Sequence, residues 1–375
     1  MNRKKRRTVF QRVLLVLNLI TAVGLLLSYT AAFLSPAGYW IIALFGLAYP
    51  AFLILNAVFV MIWLVLWRWY LFISLILIIA GWSYLMTYIP IHGSADKKLS
   101  GKQIGIISYN IHHFYGSTRS TAQSIPENRE KIIDFIAVRQ TDIICIQEFY
   151  AIGEDFDETF KNFTESIRME QYHFVNYKKF WNRKKIVAIA TFSRFPVVGK
   201  GYLNMEGHSL YAIYTDLFID SDTVRVYNLH LESTRFGDED YNFISNLTDP
   251  DKETPRLTEG SKKMLWKLRR AFMIRAEQVK QLQEHIVQCN YPVILAGDFN
   301  DAPTSFTYQR LTRQLKDSYR EAGKVFFEST YSGKLPSFRI DYILHSDEFA
   351  ALSYQKFNLD LSDHEPVGVV LIKNR

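Results

Sequence analysis

Three long apolar stretches fill most of the first 90 residues, and they constrain the fold of this chain more than any other feature. They extend from Val13 to about Leu34, from about Tyr39 to Leu66 and from about Trp69 to Ile89. Each is close to or above the roughly 20 residues with which a helix spans a bilayer. The sequence therefore predicts an N-terminal membrane region, residues 1–94, with three transmembrane helices at about 13–34, 39–66 and 69–89.

Two features of these stretches leave alternatives. The second stretch contains Pro50, which transmembrane helices tolerate, so one kinked or tilted span is favoured over two half-spans. The first stretch resembles a cleaved signal peptide in position, but its apolar run exceeds the usual signal core of about 7 to 15 residues, which favours a retained helix. Four aromatic residues near the predicted helix ends are typical of membrane interfaces: Trp40, Trp67, Trp69 and Tyr70.

Basic residues predict the orientation of this region. Six precede the first stretch, the connection "SPAG" is uncharged, and Arg68 lies between the second and third stretches, so both basic ends are expected in the cytoplasm. Lys97, Lys98 and Lys102 argue mildly the other way. Three crossings place everything after about Pro90 on the non-cytoplasmic side of a plasma membrane or bacterial inner membrane.

The net charge of +7 belongs entirely to the membrane region. Seven Lys and Arg residues and no acidic residue precede Asp96, so the rest of the chain has 44 − 7 = 37 basic and 37 acidic residues. A generic polyanion-binding domain usually has a basic excess, so the charge does not indicate nucleic acid as a partner. No obligate protein partner is indicated either. Two cysteines, Cys145 and Cys289, form neither a disulfide framework nor a zinc site, and Cys145 is expected in the core.

Residues 97–375 amount to one large domain. Short β-rich runs such as "QIGIISYNI" and "YPVILAGDFN" alternate with helical stretches. This pattern predicts an α/β fold, a four-layer α/β sandwich with two packed β-sheets and helices outside. Residues 233–261 are polar and turn-rich. The segment is longer than a loop that only links two elements of a compact domain, so it is expected to form an insert or a lid.

A long amphipathic helix is predicted at about 262–288. Its apolar residues recur at helical spacing, and its first half is crowded with lysine and arginine. A solvated outer helix packed on a sheet is the simpler interpretation. A contact with anionic lipid or with substrate is the alternative.

Polar residues stand in or at the ends of six hydrophobic segments. Isolated buried charges cost several kcal/mol unless they are paired or bind a metal, so six such segments are expected to converge. The residues are Asn110, Glu148, His230, Asp298 with Asn300, Asp341, and Asp363 with His364.

The residue types in these segments select the chemistry. Oxygen ligands from Asn, Asp and Glu suit a hard divalent cation such as Mg²⁺, with Mn²⁺ as the alternative. Two histidines beside carboxylates suit proton transfer and phosphate stabilisation near neutral pH. Metal-assisted phosphoester hydrolysis requires this combination.

These motifs, in this order, resemble the endonuclease/exonuclease/phosphatase superfamily over about residues 102–374. That superfamily includes deoxyribonucleases, apurinic endonucleases, inositol polyphosphate phosphatases and neutral sphingomyelinases. The resemblance implies that Glu148 is the main Mg²⁺ ligand and that Asn110 and Asp363 also belong to the metal site. It further implies that Asn110 binds substrate, and that Asp298 and Asn300 orient the attacking water and hold the phosphate.

The same resemblance assigns the histidines. His230 is expected to contact the scissile phosphate and to protonate the leaving group. His364 is expected to contact the phosphate or act as a base, and Asp341 to orient it. His112 and His113 match no such position and are expected to be loop residues, with substrate contact as the alternative. Strand-to-turn roles are expected for Ser193 and Arg194, with a place at the site mouth as the alternative, and a turn-capping role for Asp301.

The sequence therefore predicts a membrane-anchored, Mg²⁺-dependent phosphodiesterase or phosphatase. Lipid head groups, extracellular nucleic acid and soluble phosphoesters are the substrate classes considered. An endonuclease or exonuclease acting on DNA or RNA is the first alternative. A catalytically silent, membrane-anchored binding protein that keeps the fold is the second.

Overall fold

The computed structural model describes residues 8–91, 101–116, 124–152, 156–179, 185–205, 210–237, 239–241, 259–333 and 338–373. Part of the predicted insert, residues 238 and 242–258, lies outside these ranges. The described residues form an N-terminal helical bundle followed by two packed β-sheets with helices on their outer faces.

Five helices make up the N-terminal bundle: α1 (Val9–Thr30), α2 (Pro36–Leu47), α3 (Tyr49–Val65), α4 (Leu71–Ala80) and α5 (Trp82–Leu85). Within the described residues, only α1 is long and apolar enough to cross a membrane by itself. Helices α2 and α3 meet that test together, but they are bent by 50°.

The prediction of three transmembrane helices, at about 13–34, 39–66 and 69–89, is therefore wrong. Among the described residues α1 is one candidate span, the bent pair of α2 and α3 is at most a second, and α4 is too short to be a third. The second stretch breaks at Ala48, two residues before Pro50, which lies in the first turn of α3 and cannot donate a backbone hydrogen bond to the preceding turn. The third stretch breaks at Gly81, where a Cβ atom would stand 2.1 Å from the Tyr29 hydroxyl oxygen. Apolar composition continues across both breaks, but helical geometry does not.

Buried polar side chains connect the helices of the bundle. The Asn18 amide donates to the Ser74 hydroxyl at 2.6 Å, and that hydroxyl donates to Asn56 Oδ1 at 2.7 Å. The Trp63 indole N–H donates to Asn18 Oδ1 at 2.9 Å. All four residues are buried. Such hydrogen bonds are typical links between helices in an apolar environment, and they join α1, α3 and α4.

Two six-stranded sheets form the rest of the fold. The first contains β1 (Gln103–Asn110), β2 (Ile143–Ile152), β3 (Gln171–Lys179), β4 (Lys185–Ser193), β11 (Phe349–Lys356) and β12 (Val367–Lys373), in the order β11-β12-β1-β2-β4-β3. The second contains β5 (Val197–Asn204), β6 (Leu210–Ile219), β7 (Asp222–His230), β8 (Val293–Asp298), β9 (Lys316–Asp317) and β10 (Asp341–His345), in the order β5-β6-β7-β8-β10-β9. The pairs β1–β2 and β7–β8 are parallel.

The two sheets bury an apolar layer between them, which includes Ile106, Cys145, Val226 and Ile294. Four helices cover the outer faces: α6 (Ile125–Arg139), α7 (Phe156–Ile167), α8 (Glu259–Val287) and α9 (Phe306–Leu311). A fifth, α10 (Ser318–Ala322), contributes Tyr319 to the layer between the sheets. The predicted α/β sandwich with two packed sheets is confirmed. Cys145 is fully buried, as expected, and both cysteines are free thiols.

The helical bundle is hydrogen-bonded to residues that flank the strands of the second sheet. The Thr304 hydroxyl donates to the Gly46 carbonyl at 2.9 Å, and the Tyr319 hydroxyl donates to the Tyr88 carbonyl at 2.8 Å. Arg339 Nη2 donates to the Thr87 carbonyl at 3.1 Å. The bundle therefore packs directly against the loops and helices that support β8 and β10.

We predict that Arg339→Met destabilises the protein strongly. Arg339 is 2% exposed, and its Nη2 atom lies 2.7 Å from Asp317 Oδ2, which is equally buried. Removing one partner leaves a buried charge uncompensated, which costs about 3–5 kcal/mol. The thermal unfolding midpoint of the detergent-solubilised chain should fall well below that of Lys324→Met, a control at an exposed position. Equal midpoints in the two variants would contradict the prediction.

Candidate active site

The polar strand ends identified in the sequence meet at one cavity of about 900 Å³. Because the two sheets pack face to face, strand ends from both open into the same space. Asp341 lies behind the cavity wall, in hydrogen-bond contact with His364. The other seven predicted site residues line the cavity: Asn110, Glu148, His230, Asp298, Asn300, Asp363 and His364.

Asp298, at the end of β8, is the centre of the site. It is 1% exposed. Its Oδ2 atom accepts hydrogen bonds from the side-chain amides of Asn110 and Asn300, both at 3.0 Å, and its Oδ1 atom accepts the Asn300 backbone N–H at 2.8 Å. His364 Nε2 and His230 Nε2 lie 3.7 and 3.8 Å from Oδ2. One carboxylate thus contacts four other predicted site residues.

Gly297 permits the close approach of β8 to β7 just before Asp298. Its φ is +143°, and a Cβ atom at this position would stand 2.2 Å from the Leu229 carbonyl oxygen. A side chain here would push the two strands apart. Glycine is therefore required to place Asp298 beside His230, its register partner on β7.

Burial raises the pKa of Asp298 to about 6, with the nearby Asp341 carboxylate acting in the same direction and the His364 and His230 imidazoles opposing it. A carboxylate with a pKa close to neutral can both accept and release a proton under physiological conditions.

Glu148 is directed into the cavity by an irregularity in β2. The pairing between β2 and β4 shifts register between Ile146 and Phe149, and Glu148 has a left-handed φ of 57°. His113 Nδ1 lies 2.9 Å from Glu148 Oε2, and His230 Nε2 lies 3.4 Å from Oε1. Burial by itself raises the pKa of Glu148, but the charge and hydrogen bond of His113 and the other histidines hold that pKa well below its usual range. Glu148 is therefore ionised at neutral pH.

His112 and His113 also adopt left-handed backbone conformations, with φ values of 43° and 56°. Such conformations cost on the order of 1–3 kcal/mol each in residues other than glycine. They direct His113 to Glu148, and they direct His112 to Asp363, whose Oδ1 lies 3.2 Å from His112 Nδ1. The expectation that both are ordinary loop residues missed these contacts. Their position two and three residues after Asn110 is the sequence signal that pointed toward the site.

His364 and Asp341 form a buried pair. His364 Nδ1 lies 3.0 Å from Asp341 Oδ2. Burial alone lowers the pKa of His364, but the carboxylates of Asp341 and Asp298 outweigh it and raise that pKa well above its ordinary value. This imidazole is therefore protonated at neutral pH, and its Nε2 side faces the cavity and Asp298.

Two sets of residues could hold a metal ion. Asp298, Asp341 and His364 have ligand atoms within 4.8 Å of one another, but His364 Nδ1 is already hydrogen-bonded to Asp341, and a protonated imidazole does not ligate a cation. The predicted ligands Glu148, Asn110 and Asp363 offer only oxygen atoms that line the cavity. An ionised carboxylate with neighbouring carboxylate and amide oxygens is the donor set that Mg²⁺ prefers.

The remaining predictions around the site have mixed outcomes. Ser193 and Arg194 do not line the cavity; the Ser193 hydroxyl accepts the Phe195 N–H at 2.9 Å, which is a strand-to-turn role. Asp301 does more than cap a turn, because its Oδ2 accepts hydrogen bonds from the Thr307 hydroxyl at 2.8 Å and from Arg275 at 3.3 Å.

The described part of the polar insert forms one wall of the cavity, at Ser233, Thr234, Arg235, Phe236 and Tyr241. Acidic residues in and just before this segment pair with the basic helix α8: Asp240 with Lys267, Glu239 with Lys263, and Glu232 with Arg270. The apolar face of α8 packs on the second sheet through Val279, Leu282 and Ile286. The outer-helix interpretation of residues 262–288 agrees with this packing.

Comparison with known proteins assigns a family to the larger part of the chain. A model described as "Endonuclease/Exonuclease/phosphatase family" matches residues 107–364. A second model, described as a domain of unknown function, matches residues 11–88. No curated protein matches this chain.

Solved structures with the same fold include an endonuclease/exonuclease/phosphatase from Beutenbergia cavernae DSM 12333, with 17% identity over 73% of this chain and 72% of that chain, and a TM-score of 0.52. A family protein from Bacteroides thetaiotaomicron has 17% identity over 74% of this chain and 100% of that one, with a TM-score of 0.49. The human nocturnin catalytic domain has 19% identity over 74% and 96% of the two chains, with a TM-score of 0.49.

We predict that Asp341→Asn lowers the pKa of His364. A raised pKa means that the imidazolium persists to higher pH, so loss of the neighbouring carboxylate should shift deprotonation to lower pH. A pH titration by NMR of the full chain labelled at histidine should detect this change. Asp347→Asn, which removes an exposed carboxylate paired with Lys316, should leave the titration unchanged. An unchanged His364 titration in Asp341→Asn would refute the pairing.

Proposed function

The chain belongs to the endonuclease/exonuclease/phosphatase family of hydrolases, and on this basis we propose that it is a membrane-anchored, Mg²⁺-dependent hydrolase of phosphoester bonds. The observation that carries the proposal is one cavity lined by three groups of different acidity: ionised Glu148, Asp298 with a pKa of about 6, and protonated His364. Burial of three such groups in one cavity costs free energy, and a bound metal ion and phosphate would compensate that cost.

Glu148, Asn110 and Asp363 are the residues that would hold the metal ion. When bound, a divalent cation withdraws charge from the phosphoryl oxygens and so favours attack at phosphorus. The two histidines that contact Glu148 orient its carboxylate toward the cavity, which is the role of outer partners around metal ligands.

The other residues supply the proton transfers of hydrolysis. Asp298, held by Asn300, orients a water molecule and accepts its proton as the water oxygen bonds to phosphorus. The P–O bond to the leaving group breaks, and the leaving oxygen takes a proton from His230. His364, held as an imidazolium by Asp341, stabilises the negative phosphoryl oxygens. The products are a phosphate monoester or inorganic phosphate and an alcohol.

The exposed surface of the N-terminal bundle supports membrane anchoring. Only 33% of the apolar window of α1 is buried, whereas a core helix of a water-soluble protein is mostly covered. Exposed apolar side chains continue on the other helices, including Ile54, Val65 and Ile76. Water-soluble monomers rarely expose apolar patches of this extent. The buried hydrogen bonds of Asn18 with Ser74 and Trp63 make α1 part of the bundle, which favours a retained anchor over a cleaved signal peptide.

Contacts at the two ends of the bundle support a non-cytoplasmic catalytic domain. The Arg68 guanidinium donates to Gln11 Oε1 at 3.1 Å, next to the basic N-terminal end of α1. The Tyr84 hydroxyl donates to the Tyr29 carbonyl at 3.1 Å, at the opposite end of α1. The chain therefore leaves the bundle at the end away from its basic residues, which are expected to stay in the cytoplasm.

We predict that Glu148→Gln removes most of the Mg²⁺-dependent turnover of bis-p-nitrophenyl phosphate, by a factor on the order of 10² or more, because a neutral amide is a weaker ligand than a carboxylate. Glu321→Gln is the matched control, since Glu321 also pairs with a histidine, His345, but lies outside the cavity. Wild-type turnover in Glu148→Gln, or in excess EDTA, would refute the metal-dependent mechanism. No turnover by the wild type with Mg²⁺ or Mn²⁺ would favour the catalytically silent binding protein.

We also predict that protease added to intact spheroplasts digests the domain after Pro90. The expected orientation puts this domain outside the cytoplasm, so an antibody against the C-terminal end should detect its loss without lysis. Full protection in intact cells, with digestion only after lysis, would place the domain in the cytoplasm and would bring intracellular nucleic acids back as substrates.

A further inference from the structure

The active-site cavity has an apolar side that the proposed hydrolysis does not use. Leu268 and Phe272 of α8 line it one helical turn apart, and Leu47, the last residue of α2, lines it from the N-terminal bundle. Phe236 and Phe338 also line the cavity. The volume of about 900 Å³ is near the upper end of the range of about 300–1,000 Å³ typical of small-molecule sites. There is room for a substantial apolar group beside the phosphate.

Leu47 is held close to the catalytic loop by a specific contact. The carbonyl of its neighbour Gly46 accepts a hydrogen bond from the Thr304 hydroxyl at 2.9 Å. Thr304 follows Asp298, Asn300 and Asp301, all of which line the same cavity. The N-terminal bundle is therefore part of the wall of the site.

Exposed aromatic residues lie on the elements that connect the cavity with the bundle. Trp266, on the same helix as Leu268, is 61% exposed, and Arg269 lies with its guanidinium 5.8 Å from the ring centroid of Trp40 on α2. On the other side of the junction, Phe326 is 64% exposed and its neighbour Phe327 donates its N–H to the Tyr88 carbonyl at 2.9 Å. Exposed aromatic residues beside apolar helices are typical of a membrane interface.

The described lining of the cavity has few lysine or arginine side chains that could bind a substrate with many phosphates. Among the described residues, its only lysine or arginine side chains are Arg235 and Arg275. Arg235 lies 2.9 Å from Glu232, and Arg275 lies 3.3 Å from Asp301. A site that follows a nucleic-acid backbone needs several cations available for phosphates. This lining favours a substrate with one phosphate and an apolar body.

We propose that the site takes an amphiphilic phosphoester of the membrane-lipid class. Its phosphate lies at the Glu148, Asp298 and His364 end, and its hydrocarbon chain lies along Leu47, Leu268 and Phe272, entering from the bilayer side. The proposal rests on the proposed hydrolase function and adds the substrate class. The bond cleaved and the proton transfers are those of the hydrolysis described above.

Two phosphodiesters that differ only in chain length test this proposal: p-nitrophenyl methyl phosphate and p-nitrophenyl dodecyl phosphate. The full chain, reconstituted in lipid nanodiscs with Mg²⁺, releases p-nitrophenolate from either. We expect kcat/KM to be at least tenfold higher for the dodecyl ester, because burial of the chain adds binding free energy. Leu47→Ser should reduce this ratio severalfold. Ile41→Ser, an exposed position on the same helix that does not line the cavity, should keep the wild-type ratio and so control for partition of the ester into lipid.

The outcomes separate the two proposals. Hydrolysis of neither ester, with Mg²⁺ present, would overturn the hydrolase function itself. Hydrolysis of the methyl ester with a ratio near one, or a ratio that Leu47→Ser and Ile41→Ser change equally, would overturn the lipid proposal alone. Faster cleavage of single-stranded DNA or RNA oligonucleotides than of the dodecyl ester would overturn it in favour of a nuclease. If Leu47→Ser lowers the thermal midpoint, Leu47→Met, which keeps the apolar wall, should restore both the midpoint and the ratio.

Discussion

The buried carboxylate of Asp298 is the interaction on which the rest of the site depends. It accepts a hydrogen bond from Asn110, which belongs to the other sheet and lies 188 residues earlier in the sequence. The two sheets must therefore pack in one register for the site to exist. Because Asp298 is buried, a shift of either sheet would remove the Asn110 hydrogen bond from a carboxylate that water cannot reach, which costs free energy. Packing of the two sheets thus brings the residues of the site together.

Pairing with histidine explains how the fold tolerates so many buried or half-buried acids. Glu148 contacts His113 and His230, Asp363 contacts His112, and Asp341 contacts His364. Each pair reduces the cost of removing a carboxylate from water. The three groups have different pKa values because their surroundings differ. The pKa of Glu148 is lowered, that of Asp298 is raised to about 6, and that of His364 is raised. One cavity thereby holds an ionised carboxylate, a carboxyl group with a pKa near neutrality and an imidazolium, which is the set that the proposed hydrolysis would use.

The N-terminal bundle contributes to the wall of the candidate active site. Gly46, Thr87 and Tyr88 accept hydrogen bonds from residues that support β8 and β10, and Leu47 lines the cavity. A flexible tether would make no such contacts. Changes in the bundle are therefore expected to reach the site through two buried residues: Thr304, which hydrogen-bonds to Gly46, and Arg339, which contacts both Thr87 and Asp317.

The sequence by itself predicted the α/β sandwich and the eight residues of the candidate site, because short β-rich apolar runs specify strands and six such segments that each carry a carboxylate, amide or imidazole are expected to converge. Pro50 indicated the bend in the second apolar stretch, but the sequence did not determine the helix break at Gly81, since apolar composition is the same on both sides of that break. The left-handed turn at His112 and His113, the register shift at Glu148 and the place of Leu47 in the cavity wall were decided by tertiary structure. Each depends on contacts between residues far apart in the chain, and no local pattern records such contacts.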